Sequence, residues 1–209
     1  MENFQDHGDE GEIWFGKAVE RRVIDWIKNN FKTTRNDSEP TILDLGCGNG
    51  HFTLKLMEAG WKNVAALDYS EKAVELAKKL VGFDSENDRI FKADILNPST
   101  LPAKHYNAYD LIVDKGTFDA ISLNPDFEGL EKISKTKVIA DTFKNTLKTL
   151  LTAEDSLFII TSCNWTSQEL EHIFGPEFKP VGEVTHTKFM FGGKSGQDVS
   201  TIIFKSIDT

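Results

Sequence analysis

The sequence has little cysteine, no long apolar run and no basic cluster, and each absence excludes a class of protein. Two cysteines in 209 residues, Cys47 and Cys163, cannot build a disulfide framework, so a reducing location is expected, the cytoplasm and also the nucleus. No apolar run approaches the roughly 18 residues of a membrane span, so no membrane partner is expected. The acidic start MENFQDHGDEGEIWFG lacks the apolar core of a signal peptide, so secretion is not expected.

The charge balance is acidic, with 24 Lys and Arg against 33 Asp and Glu, for a formal net charge of -9. Proteins that follow nucleic-acid phosphates normally show clustered Lys and Arg, so nucleic acid is not expected as a direct substrate. An acidic surface serves solubility, and it also speeds encounter with a basic protein. The five histidines are scattered and the two cysteines lie far apart, so no metal site is predicted.

Strand-like apolar runs and helical spacings alternate along most of the chain. Helices are predicted over 17–30, 50–59, 71–81, 137–151 and 166–174, and strands in TILDLG, NVAALD, RIFKADIL, YDLIVD and SLFIITSC. The tail contains two β-rich runs, EFKPVGEVTHTKFMFGG and QDVSTIIFKSI, separated by the predicted turn GGKSG. The pattern predicts an α/β fold, a mostly parallel sheet with helices on both faces and a C-terminal antiparallel hairpin that closes its edge.

A glycine-rich turn follows the first predicted strand. The stretch LDLGCGNG contains Asp44, Gly46, Gly48 and Gly50, and glycines there permit positive φ angles and close approach of a ligand to the backbone. The following helix offers free N–H groups at its start. Alone, this spacing also fits an ordinary tight turn. Asp68 strengthens the functional interpretation, because a carboxylate at the end of the second strand can accept both hydroxyls of a ribose.

The identity of the predicted cofactor follows from the acidic residues around this turn. Asp94 ends the third predicted strand, where it could reach an adenine amino group, and strand ends of open α/β sheets bind ligands at one edge. Asp44 precedes the first glycine by two positions, where it would repel a pyrophosphate but could engage a cationic amino acid moiety. S-adenosyl-L-methionine carries an ammonium and a sulfonium and no phosphate. The sequence therefore favours S-adenosyl-L-methionine over a dinucleotide.

Several motifs resemble a known family. LDLGCGNG, LDYS, KADIL and the two-stranded tail are similar to the seven-strand, class I S-adenosylmethionine-dependent methyltransferases. GDEGEIWFG, DKGTFDAISLNP, ITSCNWT and FGGKSG resemble the lysine methyltransferases of translation elongation factor 1-alpha, in the branch typified by methyltransferase-like protein 10 in animals. The resemblance covers nearly the whole chain. Family members carry a tryptophan and a tyrosine upstream of the block that begins here at Asn3 and Phe4.

The resemblance implies a Rossmann-like, seven-stranded methyltransferase sheet in a single domain over 1–209, with the N-terminal segment and helix of 1–36 packed on the cofactor side. It implies S-adenosyl-L-methionine as cofactor, S-adenosyl-L-homocysteine as product, and a lysine of elongation factor 1-alpha as substrate for a chain that is expected to be a monomer. The residues expected at the cofactor are Trp14, Asp44, Gly46, Cys47, Gly48, Asn49, Asp68, Tyr69, Asp94, Ile95 and Asp114.

The catalytic residues are expected in DKGTFDAI, at the end of the fourth strand. Methyl transfer needs a neutral lysine amine, and an aromatic pocket lowers the amine pKa while a carboxylate orients the nitrogen. Asp114 is the first candidate for the carboxylate, with Asp119 as the other, and Phe118 is the candidate pocket wall. Further candidate walls are Trp14, Phe15 and Trp165.

Each of these residues also has a purely structural interpretation. Phe118 and Trp165 suit the core, Trp14 and Phe15 could fasten the N-terminal helix, and Lys115 could pair with Asp114 or Asp119. Two other functions remain open for the whole chain. One is a small-molecule methyltransferase, although such enzymes usually carry an added lid, and the other is a catalytically silent adaptor, although the glycine turn and its carboxylates are intact.

Overall fold

The structure is a computed structural model that describes residues 14–31, 39–123, 132–152, 155–186, 189–191, 194–196 and 199–207. The polar stretch TTRNDSEP, 33–40, is typical of a linker between the N-terminal helix and the first strand, and it lies outside the described residues except for Glu39 and Pro40. The part of the N-terminal segment that precedes Trp14 also lies outside them.

The main sheet has seven strands. They are β1 (Thr41–Leu45), β2 (Asn63–Asp68), β3 (Ile90–Lys92), β4 (Leu111–Lys115), β5 (Leu157–Ser162), β6 (Phe178–Glu183) and β9 (Ser200–Ser206). Their order across the sheet is β3–β2–β1–β4–β5–β9–β6. The first five strands run parallel, and β9 is antiparallel to both β5 and β6. The predicted sheet is therefore confirmed, with the last strand inserted between β5 and the edge strand β6.

Six α-helices, and two short 3₁₀ helices at Pro98–Thr100 and Ala103–His105, occupy the described residues that connect and precede these strands. The α-helices are α1 (Gly16–Asn30), α2 (His51–Glu58), α3 (Glu71–Val81), α4 (Thr117–Ser122), α5 (Lys132–Leu150) and α6 (Ser167–Phe174). The prediction for α3 matches the structure, and α5 begins five residues earlier than the predicted start at Lys137. The predicted cap of α6 is confirmed, because the Thr166 side chain accepts from the Glu169 N–H. Helix α4 was not predicted.

Both faces of the sheet are covered, because alternate residues of the central strands belong to two different apolar clusters. Leu43, Ile112 and Ile160 pack in one cluster with residues of α5 and α6. Ile42, Val113 and their neighbours pack in the other with residues of α1 and α2. Successive side chains of a strand point to opposite faces, so apolar runs such as TILDL fill both layers.

The tail departs from the prediction at GGKSG. Phe189–Phe191 (β7) and Lys194–Gly196 (β8) pair as a separate two-stranded ribbon, so 194–196 is a strand and not part of a turn. The predicted antiparallel pair at the sheet edge is confirmed, because β6 lies in the first of the two predicted runs and β9 in the second. Within the described residues, no helix combines the length and the apolar character needed to cross a membrane.

Candidate active site

A large cleft lies at the carboxyl ends of β1, β2, β3 and β4, with a volume of about 940 Å³. Its lining residues are Trp14, Gly46, Cys47, Gly48, Asn49, Leu67, Asp68, Tyr69, Leu76, Ala93, Asp94, Ile95, Leu96, Lys115, Gly116, Thr117, Ala120, Ile121 and Leu123. The structure thus brings together all of the predicted cofactor residues except Asp44 and Asp114. Ligands of open α/β sheets bind at this edge.

The glycine turn between β1 and α2 forms one wall of the cleft. Gly46 has φ +70°, and a Cβ placed on it would lie 2.0 Å from the Thr117 Oγ1. Gly48 has φ +53°, and a Cβ there would meet no atom within 4 Å. The first glycine is therefore required for close packing against α4, whereas the second leaves its backbone open on the cleft side. Cys47 between them is buried, and burial raises the pKa of its thiol well above the ordinary value.

Asp68 joins the glycine turn to the end of β2. Its Oδ2 accepts from the Gly48 N–H at 2.9 Å, and its Oδ1 accepts from the Ser70 N–H at 2.9 Å. A carboxylate has about four acceptor positions, so these two bonds leave capacity for further donors. Asp68 also lines the cleft. The geometry therefore suits the predicted contact with two ribose hydroxyls.

The region after β3 forms a largely apolar part of the cleft. Ala93, Ile95 and Leu96 line it, and Ile95 is buried. Asp94 lies among them and accepts from the Leu96 N–H at 2.9 Å through Oδ1. Tyr69 lines the same region from the surface, with 75% of its area exposed. A flat apolar site with one carboxylate suits an adenine ring and its amino group.

Asp44 does not line the cleft, contrary to the prediction of a direct cofactor contact. It is buried, and its Oδ2 accepts from the Thr53 hydroxyl at 2.6 Å. Burial raises the pKa of Asp44 to about 6, while the Thr53 hydrogen bond and the charge of Lys115 oppose that rise. The side chain is turned toward α2, so Asp44 can affect a ligand in the cleft only through its electrostatic field and not by direct contact.

Asp114 is also turned away from the cleft, so its predicted contact with both cofactor and amine is corrected. Its exposure is 0%, and its two oxygens accept from the Thr117 N–H at 2.7 Å and the Phe118 N–H at 2.9 Å. Burial raises the pKa of Asp114 to about 8, and these backbone donors oppose the rise. The physical reason for its direction is the start of α4, whose first N–H groups need acceptors.

Phe118 belongs to the core, so its predicted place on the wall of the lysine pocket is corrected as well. Its exposure is 1%, and its ring lies 5.3 Å from that of Phe143, 5.2 Å from that of Phe174 and 6.0 Å from that of Trp165. Such edge and tilted contacts are typical of aromatic cores. The structural interpretation of Phe118 and Trp165 therefore holds.

Asp119 fastens α4 to the end of β5. Its Oδ1 accepts from the Ser162 hydroxyl at 2.5 Å, and its Oδ2 accepts from the Cys163 N–H at 2.8 Å. It is 1% exposed. The expected ion pair between Lys115 and Asp114 or Asp119 is not formed, since both carboxylates are bound on the other face of β4.

Trp14 and Phe15 cover the end of β4 from the N-terminal side. Trp14 is 43% exposed and lines the cleft. A Cβ on Gly116 would lie 2.8 Å from the Trp14 ring and 2.9 Å from the Phe15 ring, so only glycine permits this approach. Phe15 has φ +68°, a backbone conformation that is costly for a residue with a side chain. Trp14 and Phe15 are thus held against the cleft at some cost in strain.

Sequence reasoning missed the cleft residues of the β4–α4 connection, above all Lys115, Gly116 and Thr117. The signal that could have found them is the alternation of side chains along a strand. Asp114 and Lys115 are consecutive, so only one of them can point to each face of β4. The motif DKGT was correctly placed at the site, but Asp114 was predicted to contact the ligand, whereas Lys115, Gly116 and Thr117 line the cleft.

Comparison with known proteins identifies the class to which this fold and cleft belong. The methyltransferase domain family matches residues 36–203. Relatives over nearly the whole chain include "EEF1A lysine methyltransferase 2" of Danio rerio, with 41% identity over 100% of this chain and 82% of that protein. "Protein-lysine N-methyltransferase efm4" of Schizosaccharomyces pombe is 35% identical over 98% of this chain and 87% of the relative. The chain therefore belongs to the methyltransferase family, within the group that contains these two relatives.

Solved structures agree with the fold. The N-methyltransferase NodS of Bradyrhizobium japonicum in complex with S-adenosyl-L-homocysteine has a TM-score of 0.58 and 15% identity, over 91% of this chain and 87% of that one. A TehB-like SAM-dependent methyltransferase of Corynebacterium glutamicum has a TM-score of 0.59 and 16% identity, over 99% and 94%. At this identity the likeness concerns the fold alone.

Proposed function

We propose that this chain is an S-adenosyl-L-methionine-dependent protein-lysine N-methyltransferase that acts on translation elongation factor 1-alpha. The observation that carries the proposal is the gathering of the glycine turn, Asp68 and Asp94 around one cleft. The choice of substrate is supported by a relative named for lysine methylation of this factor, which matches 100% of this chain, and the choice of lysine also by a relative named as a protein-lysine N-methyltransferase. The predicted enzyme class thus has both a site and a set of relatives in its support.

The cleft fits the proposed cofactor in size and in chemistry. A volume of about 940 Å³ is near the upper end of the roughly 300–1,000 Å³ that is usual for ligand pockets, which leaves room for a nucleoside with its amino acid and for a substrate side chain. When bound, S-adenosyl-L-methionine supplies a methyl group on a sulfonium centre. Asp68 would accept from the ribose, Asp94 from the adenine amino group, and the open backbone at Gly48 would face the amino acid end.

The lysine side chain is expected to enter near α4 and Trp14. Thr117, Ile121 and Leu123 line the cleft there, and the Trp14 ring lines it where it approaches Gly116. Leu123 is 67% exposed, which makes it available to the alkyl chain of an incoming lysine. Apolar walls of this kind desolvate the amine and lower its pKa from about 10.4, so that the nitrogen is neutral when it attacks.

Alignment and desolvation are the contributions that the described residues can make to the reaction. Among the described cleft residues the carboxylates are Asp68 and Asp94, and both belong to the nucleoside part of the site. The proton of the amine would therefore leave to water before transfer. Holding the amine in line with the reacting centre can itself lower the barrier by about 7–11 kcal/mol.

The proposal is tested by incubating the purified chain with labelled S-adenosyl-L-methionine and unmethylated elongation factor 1-alpha. Mass spectrometry of the factor should show methylation at a lysine. The variant Asp68→Ala should be inactive, and the matched variant Asp84→Ala, at an exposed aspartate outside the cleft, should be active. Transfer to small molecules with none to the factor would contradict the proposal, and so would transfer that Asp68→Ala leaves unchanged.

A further inference from the structure

Lys115 stands out among the described residues of the cleft, because it is the one lining side chain there with a positive charge. It is the last residue of β4. Its Nζ lies 3.4 Å from the Trp14 carbonyl oxygen and 5.9 Å from the centre of the Phe52 ring. The ammonium is thus held near the start of α1, at the same end of the cleft as the glycine turn.

The contacts of Lys115 fix its position without neutralising it. The Trp14 carbonyl accepts one of the three N–H donors of the ammonium. The Phe52 ring offers its electron-rich face at the outer limit of a cation–π contact, about 6 Å. Neither partner carries a negative charge, so the charge of Lys115 remains directed into the cleft.

The electrostatic surroundings of Lys115 are those of a site for a zwitterion. Asp44 lies on the same face of the sheet behind the glycine turn, and the charge of Lys115 opposes the burial-driven rise of the Asp44 pKa. Glu20 and Asp68 add to that rise, so they are close enough to contribute to the field there. A positive group at the cleft surface with negative groups beside it complements a ligand that carries both a carboxylate and an ammonium.

We propose that Lys115 binds the α-carboxylate of the cofactor's amino acid moiety. This inference rests on the proposed function, since it assigns one chemical group of the proposed cofactor to one side chain. The alternation of side chains along β4 supports it, because Asp114 serves α4 on one face while Lys115 is presented on the other. A Lys–carboxylate contact is a charge-assisted hydrogen bond, stronger than a neutral one.

The test uses two ligands that differ only in this carboxylate. S-adenosyl-L-homocysteine and its decarboxylated analogue, S-adenosyl-3-thiopropylamine, are titrated by calorimetry into the wild-type chain, Lys115→Met and Lys92→Met. Lys92 ends β3, is exposed and pairs with Glu71 at 3.4 Å, so its substitution removes the same charge outside the cleft. The wild type and Lys92→Met should bind the carboxylated ligand roughly tenfold or more tightly than the analogue, as a charge-assisted bond predicts.

In Lys115→Met the preference should fall to about one, through a loss of affinity for S-adenosyl-L-homocysteine alone. Lys115→Arg should retain the preference, because the charge is kept. An unchanged preference in Lys115→Met would overturn the inference, and so would equal binding of the two ligands by the wild type, which needs no variant to fold. Failure of the wild type to bind S-adenosyl-L-homocysteine at all would instead contradict the proposed function.

Discussion

Two pairs of carboxylates lie at the same edge of the sheet and have different roles. Asp68 and Asp94, after β2 and β3, line the cleft. Asp114 and Asp119, at the end of β4 and in α4, are fully buried and accept from backbone and hydroxyl donors. Asp68 and Asp94 therefore define a ligand-binding half of the sheet edge, where the carboxylates are open to the cleft. Asp114 and Asp119 define a self-supporting half, where the carboxylates hold the chain itself in place.

The difference shows that an acidic residue at a strand end is not by itself a ligand contact. The direction of the carboxylate depends on whether the first N–H groups of the following helix need it as an acceptor. Helix α3 is capped by Ser70, whose side chain accepts from the Ala73 N–H, so that Asp68 can bind across to the glycine turn. Helix α4 begins after Gly116 with no capping side chain at that position, so Asp114 must accept from its first N–H groups.

The largest expected effect concerns Asp68, the residue that most clearly represents the ligand-binding half. Asp68→Ala removes the proposed ribose acceptor and also the bond to the Gly48 N–H. The affinity for S-adenosyl-L-homocysteine should fall about 100-fold, close to 2.7 kcal/mol. Calorimetry checks this against the control Asp84→Ala, which should bind as the wild type does. Wild-type affinity in Asp68→Ala would remove the distinction between the two halves.

The next effect concerns Gly46, where the two halves touch. In Gly46→Ala the new methyl group would overlap the Thr117 Oγ1 at a positive φ angle. The free energy of unfolding should fall by about 2 kcal/mol, from overlap and backbone strain together. Denaturant unfolding measures it. Adding Thr117→Ala should restore part of the loss, because it removes the two nearest atoms, Oγ1 and Cγ2, while the Cβ at 2.9 Å and the backbone strain remain. A fully additive double variant would contradict the contact.

A smaller effect is expected at Phe118, which the sequence suggested for the substrate pocket and the structure places in the core. Phe118→Leu should lower the free energy of unfolding by about 1.5 kcal/mol through lost aromatic packing. The affinity for S-adenosyl-L-homocysteine should stay unchanged, since the ring does not line the cleft. A variant with intact stability but raised KM for the protein substrate would return Phe118 to the pocket.

The last effect is a dependence of stability on pH at Asp114. Its pKa is raised by burial from 3.8 to about 8, so the native state binds this proton more tightly than the unfolded state. The stability it contributes is complete below about pH 4 and is lost as the pH rises through about 8. Asparagine keeps one acceptor and cannot ionise.

Asp114→Asn should therefore be less stable than the wild type by about 1 kcal/mol near pH 5, through the weaker cap of α4. The difference should shrink and then reverse in favour of the variant toward about pH 9, because only the wild type has a buried carboxyl group that loses its proton over this range. Urea unfolding at both pH values measures the change. A gap that stays constant between the two pH values would show that the carboxylate is ionised in the native state throughout this range.

Much of the fold could be predicted from the sequence because the strands of the main sheet stand out as apolar or β-rich runs and most helices carry a helical apolar period. Helix α3 and the capping box at Thr166 are clear examples. The short helix α4, Thr117–Ser122, could not be predicted, because its six residues carry no helical apolar period. The ribbon of β7 and β8 was missed because a glycine-rich stretch is typical of a turn.

The candidate site, like the fold, was predicted only in part. The glycine turn, Asp68 and Asp94 were placed correctly at the cleft because their chemistry is visible in local motifs. Asp114 and Phe118 were misassigned because the direction of a side chain at a strand end depends on the helix that follows. That helix was itself invisible in the sequence, so one missed element produced both errors.

The most direct test of this account is a crystal structure of the chain with S-adenosyl-L-homocysteine. The account predicts the ribose hydroxyls at Asp68 and the adenine near Asp94, while Asp114 still accepts from the N–H groups of Thr117 and Phe118. A ligand bound outside this cleft, or a ribose held by Asp114 with α4 uncapped, would contradict the division of the sheet edge into a ligand-binding half and a self-supporting half.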